Sequence, residues 1–164
     1  MPATYEPIAT NTLGSATASV TFSTISGLYT DLVLVFAGSA ASSGTDSISM
    51  RFNGDTTTNY SYTVLSGNGS AASSGRGTST TSIAGALITS TEQTNSIWHI
   101  FNYANTTTYK TVFARGNIAG ALVRAGVGTW RKTPEAITSI TFFPDSGQNF
   151  ATGCTFTLYG IKAA

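Results

Sequence analysis

Residues 47–64 read SISMRFNGDTTTNYSYTV. Ile48, Met50 and Phe52 alternate with Ser47, Ser49 and Arg51, and after a break Tyr60, Tyr62 and Val64 alternate with Ser61 and Thr63. Apolar residues at every second position line one face of a pleated strand; on a helix they would scatter around the axis. Between the runs stands Asn53-Gly54-Asp55, followed by three threonines without apolar periodicity. Asn and Gly accept the left-handed backbone that a chain reversal uses, so the stretch reads as strand, turn, strand.

The same period runs outward from it in both directions. Ala16, Ala18, Val20 and Phe22 alternate with Ser and Thr. Leu32, Leu34 and Phe36 alternate with Val33 and Val35, and a run apolar on both faces predicts a strand covered on both sides. Further runs occupy 83–88, 97–103, 109–115, 127–131, 137–143 and 154–161. In 97–103, Ile97, Phe101 and Tyr103 oppose Trp98 and Ile100. Residues 66–82, SGNGSAASSGRGTSTTS, show no such pattern and read as a long flexible loop; the Gly-dense piece 116–128 admits a bulged strand. Eight to ten short strands with less than a tenth of the chain helical predict an all-β fold, a jelly-roll-like antiparallel β-sandwich. Residues 1–14, with Pro2 and Pro7, are expected to be an extended N-terminal arm before a single sandwich domain at 15–164. That arm either reaches a neighbouring subunit or lies on its own sheet.

Only 15 of the 164 residues carry charge, against 29 Thr and 20 Ser. Soluble domains carry about a quarter charged residues. Hydroxyls cost less to desolvate than ammonium or carboxylate groups, so a surface made of them tolerates permanent contact with neighbours. The formal net charge of +1 gives no strong field and argues against nucleic acid as a partner. No apolar stretch approaches a membrane span, and the N-terminus lacks the basic-then-apolar pattern of an export signal, which points to synthesis in a cytoplasm. The lone Cys154 forms no intrachain disulfide and reads as a small buried hydrophobe.

Catalytic signatures are weak throughout. His99, the single histidine, lies within an apolar strand and reads as a core-adjacent imidazole satisfied by hydrogen bonds; a metal site would need ligands that no second His or Cys supplies. No G-x-S-x-G elbow occurs. Gly67-Asn68-Gly69-Ser70-Ala71-Ala72 matches a relaxed dinucleotide pattern, but the residues after it are poor helix formers, and that site requires a helix N-terminus. Asp46 and Asp55 flank one strand and could approach a cation together with Asn53, but solvated turn residues are the plainer reading. No catalytic, metal-binding or cofactor-binding residue is expected, and the chain is not read as an enzyme. Between residues 93 and 134 the charges are Lys110, Arg115, Arg124, Arg131 and Lys132 with no acid, either one basic patch or five cations alternating faces.

Four stretches resemble a group of bacteriophage virion structural proteins, especially those of cyanophage-like viruses and their prophage relatives. They are YEPIATNTLGSATASVTFSTI at 5–25, RFNGDTTTNYSYTVLSGNGSAASSGR at 51–76, NYANTTTYKT at 102–111 and WRKTPEAITSITFFPDSGQNFATGCTFTLYGIKAA at 130–164. The resemblance implies a jelly-roll-like domain that forms homo-oligomers on a phage head or tail, and it brings no catalytic residue. A chain of 17.0 kDa is small for a shell lattice protein and better sized for an accessory. The expectation is a capsid decoration (cement) protein, localised to the virion after assembly in the host bacterial cytoplasm. Its partners would be further copies of itself, most simply as a homotrimer, and the major capsid protein of the head, with neither nucleic acid nor membrane involved. The expected contact residues are Tyr5, Ile8 and Leu13 of the arm and the cations Arg124, Arg131 and Lys132. The alternative is a tail or fibre-tip protein binding host surface glycans, with Trp98 or Trp130 as platforms beside Asn53 and Asp55.

Overall fold

A computed structural model describes residues 4–162. The strands are β1 (Tyr5–Thr12), β2 (Val20–Phe22), β3 (Asp31–Gly38), β4 (Thr45–Phe52), β5 (Tyr60–Gly67), β6 (Ala72–Thr80), β7 (Ile83–Thr89), β8 (Thr94–Phe101), β9 (Lys110–Ile118), β10 (Leu122–Trp130), β11 (Ile140–Pro144) and β12 (Thr155–Ile161). Among the described residues there is no helix. Two antiparallel sheets form, a large one in the order β1-β12-β3-β8-β9-β10-β5-β6 and a small one in the order β2-β11-β4-β7.

The topology becomes plain once the hairpin strands β5, β6, β9 and β10 are set aside. The remaining strands pair first with last and inward: β1 with β12, β2 with β11, β3 with β8, β4 with β7. This long hairpin is then rolled so that β12 docks on β3 and β11 on β4. The result is a jelly roll. β9, β10, β5 and β6 continue the large sheet beyond β8.

Alternation fills the space between the sheets. Leu32, Leu34 and Phe36 from β3, Ile48, Met50 and Phe52 from β4, and Trp98 and Ile100 from β8 are fully buried. Phe36, Phe142, Phe150 and Phe156 meet at ring-centroid distances between 4.9 and 5.9 Å for every pair. Where β7 crosses the large sheet, glycine permits the close approach. A Cβ on Gly85 would lie 2.5 Å from Ala114 Cβ, and one on Gly128 would lie 2.3 Å from Ile83 Cγ2.

The fold bears on four expectations. Of the two readings of the arm, the structure has residues 5–12 on their own sheet, as strand β1 paired with β12 through a bulge between Pro7 and Ala9; residues 1–3 lie outside the described residues. Residues 66–82 are not a flexible loop: they close the β5–β6 hairpin, whose turn is held by Asn68 Oδ1 accepting from the Ser70 and Ala71 amides. The Gly-dense piece closes the β9–β10 hairpin with an unbroken register, and β1 and β6 bring the strands to twelve among the described residues, above the eight to ten expected. The glycine pattern at 67–72 is therefore a hairpin turn with no helix behind it. Finally, β3 reads as covered on both faces, and the fold meets this in part: on its outer side Val33 is buried and Val35 half-buried by neighbouring side chains of the same sheet, not by a second layer. Among the described residues no layer packs over the outer face of the large sheet, onto which Val33 and Val35 project.

Candidate functional site

The strand registers define rows of side chains across that outer face. One row runs Tyr159, Val33, His99, Phe113, Val127 and Thr63; the next runs Thr157, Val35, Ile97, Arg115, Ala125 and Leu65. Tyr5 on β1 stands edge-on to Tyr159, with centroids 6.5 Å apart. Between the two tyrosines and the Phe113–Arg115 strand lies a groove of about 230 Å³ with Val33, Val35 and Ile97 along it. Val123, Val127 and Leu65 extend the apolar surface over β10 and β5 and are each more than half exposed. Thr111, Thr129, Thr155 and Thr157 face the same side and border it with hydroxyls.

Polar groups on this face are fixed in place. His99 Nε2 lies 3.0 Å from Asp31 Oδ2, its ring stacks on Phe101 at 4.2 Å, and Asp31 Oδ1 accepts the Asn102 amide. The imidazole is satisfied as expected, but on the outer face and not against the core. Arg115 and, across from Thr63 on β6, Arg76 are exposed cations on this face. The arrangement offers packing surface and a few directional contacts, and no nucleophile–base pair.

The expected contact residues do not gather in one place. Tyr5 stands at the groove. Ile8 packs partly buried against the core, and Leu13 is inside it. The cations divide in the same way, so there is no single basic patch. Lys110 is buried; its Nζ donates to the carbonyls of Asn105 and Thr108, and burial pushes its pKa down. Arg124 shares the side of β10 that presents Gly126 and Gly128 to the small sheet, opposite to Arg115. Arg131 and Lys132 follow β10 at one end of the sandwich, where Lys132 pairs with Glu135 at 3.1 Å and lies over the Trp130 ring. Asp46 and Asp55, read as solvated, are buried. Asp46 accepts from the Ser47 and Ser146 amides and from the Ser146 hydroxyl. Cys154 is buried, as expected.

At the end holding Asp55, two loops repeat one device that the sequence reading missed. After β4 and after β8 comes an Asn with a left-handed backbone, Asn53 at φ 50° and Asn102 at φ 48°. A side-chain oxygen then gathers the following threonines: Asp55 Oδ1 takes the Thr57 amide, and Asn105 Oδ1 takes the amides of Thr107 and Thr108. The signal was present as Phe-Asn followed closely by Thr-Thr-Thr at 52–58 and 101–108. Trp130 Nε1 donates to Asp55 Oδ2 at 2.7 Å, and Asn59 Nδ2 donates to the same oxygen. Burial works to raise the Asp55 pKa, but the donors from Thr57, Asn59 and Trp130 outweigh it and hold the carboxyl well below the usual range. These polar atoms are directed at the chain itself, so the loops are structural.

Comparison with protein-family models and with curated proteins gives no match to the chain.

Proposed function

We propose that this chain is a phage virion structural protein, a capsid decoration protein that binds the mature head lattice as a homo-oligomer. The observation that carries the reading is β3. Its inner residues Leu32, Leu34 and Phe36 are fully buried; of its outer residues Val33 is buried beneath the side chains around it and Val35 is half-buried, at the bottom of a groove between Tyr5, Tyr159 and Phe113 over which no second layer packs among the described residues. An apolar area that crosses several strands and is bordered by hydroxyls suits a permanent contact better than a free surface. A scarcity of ionic side chains reduces the desolvation that such a contact requires.

The mechanism is thermodynamic. A protein that binds only the mature lattice stabilises that state by mass action, and an oligomer that docks through several copies multiplies the effect by avidity. Threefold positions of a lattice would take a homotrimer. The glycan-binding alternative loses the residues assigned to it. Trp98 and Trp130 are 0% and 2% exposed, and Asn53 spends its amide on Glu135, Ala136, Thr138 and Ser139. Gold-labelled antibody against the chain, viewed on phage particles that carry its gene, is expected to decorate the head in many copies. Label confined to the tail tip, or none on particles, would contradict the proposal.

A further inference from the structure

The two sheets have four edges, and three of them are protected. β2 is only three residues long, and β7 is buried against β9, β10 and β5. β1 carries Pro7, a bulge, and the ion pair of Glu6 with Lys162 at 2.8 Å. Such features keep a sheet edge from pairing with another chain. β6 has neither Pro, bulge nor ion pair over Ala72–Thr78 and carries a single charge, Arg76; it pairs there without interruption with Gly67–Ser61, and the irregularity falls beyond, at Ser79 with φ 55°.

β6 is also poorly rewarded for being ordered. Its residues are exposed on both faces apart from Gly77 and Thr80, which are half-buried. Fixing a strand costs backbone entropy that side-chain burial normally offsets. Here backbone pairing must do so, and β5 satisfies one side of β6 only.

We infer that β6 is the strand through which two copies of this chain pair, antiparallel, so that their large sheets merge into one. The regular run Ala72–Thr78 is centred on Gly75, so full overlap of two copies about a twofold axis sets Gly75 opposite Gly75 and Arg76 opposite Ser74. That register matches residues of the same face and gives roughly one hydrogen bond per residue of the shared run. A shift of the axis by one residue sets Arg76 against Arg76, and like charges directly opposite are unfavourable. Arg76, the one charge on the strand, thus opposes a shift toward Thr78, and a shift the other way shortens the shared run. The Ser, Gly and Thr composition that made this segment read as a loop suits a contact in which two backbones meet closely.

Charge reversal across the axis tests this in sedimentation velocity of the purified chain, without any phage particle, so the result is independent of the virion reading. Ser74 and Arg76 are exposed, and substitutions there leave the core intact. The wild-type chain is expected to form a dimer, or a hexamer where a threefold contact also operates. Ser74→Lys, which faces the partner's Arg76, should weaken the twofold step by about tenfold, whereas Ser74→Glu should strengthen it. Ser74→Lys combined with Arg76→Glu should restore it. A wild-type chain that stays monomeric at high concentration, or an oligomer equally stable in Ser74→Lys and Ser74→Glu, would overturn the inference.

Discussion

Asp55 shows how a single side chain fixes one end of the sandwich. Its carboxylate holds the Thr57 loop, Asn59 and the Trp130 indole together, and Trp130 in turn stacks on Tyr60 with centroids 6.2 Å apart. Because the folded pKa lies below the unfolded value of about 4, the stabilisation is fully present above that pH and is lost as pH falls through the folded value. Urea unfolding midpoints measured between about pH 2 and pH 6 should therefore drop on the acid side. Asp55→Asn should be less stable at neutral pH and show a flatter acid limb; an unchanged acid limb would remove this role. The sequence made the turn at Asn53-Gly54-Asp55 legible, but not the fate of the carboxylate. One of its donors, Trp130, lies 75 residues later in the chain, and no local pattern announces that meeting.

Among the strands, those that bury side chains were legible and those held by backbone alone were not. β3, β4, β8 and β12 alternate in a way that only a pleated half-buried surface requires, and their inner residues are where alternation put them. β6 has no apolar face to write into the sequence and reads as a loop, and β1 is mostly exposed and reads only as an extended arm. Pairing of β1 with β12 depends on the far end of the chain. The close crossing of β7 was hidden for a related reason, since a glycine that makes room for a neighbour looks like one that makes a turn. Gly85→Ala should cost about 1–3 kcal/mol, because the added methyl meets Ala114 and the Trp98 ring. Gly14→Ala, with nothing within 4 Å, should be near neutral in the same thermal denaturation experiment. Equal effects at the two sites would show that β7 does not sit this close.

For the whole molecule, the balance of charge and hydroxyls and the double-sided apolar run of β3 point the same way. The jelly roll buries one side of that run and leaves the other as the floor of a groove that continues across the large sheet toward Val127 and Leu65. The arm residues and cations expected at contacts stand apart in the fold; the apolar surface that the fold does assemble takes residues from seven strands, β1, β12, β3, β8, β9, β10 and β5, whose alignment depends on register. Assembly with the outer face covered is the central claim, and side-chain footprinting addresses it most directly. Tyr5, Tyr159 and Phe113 should be strongly protected from radical labelling in the native assembly and labelled readily once it is dissociated, with Leu28 labelled in both. Equal labelling of the groove residues in the assembled and dissociated chain would contradict the account.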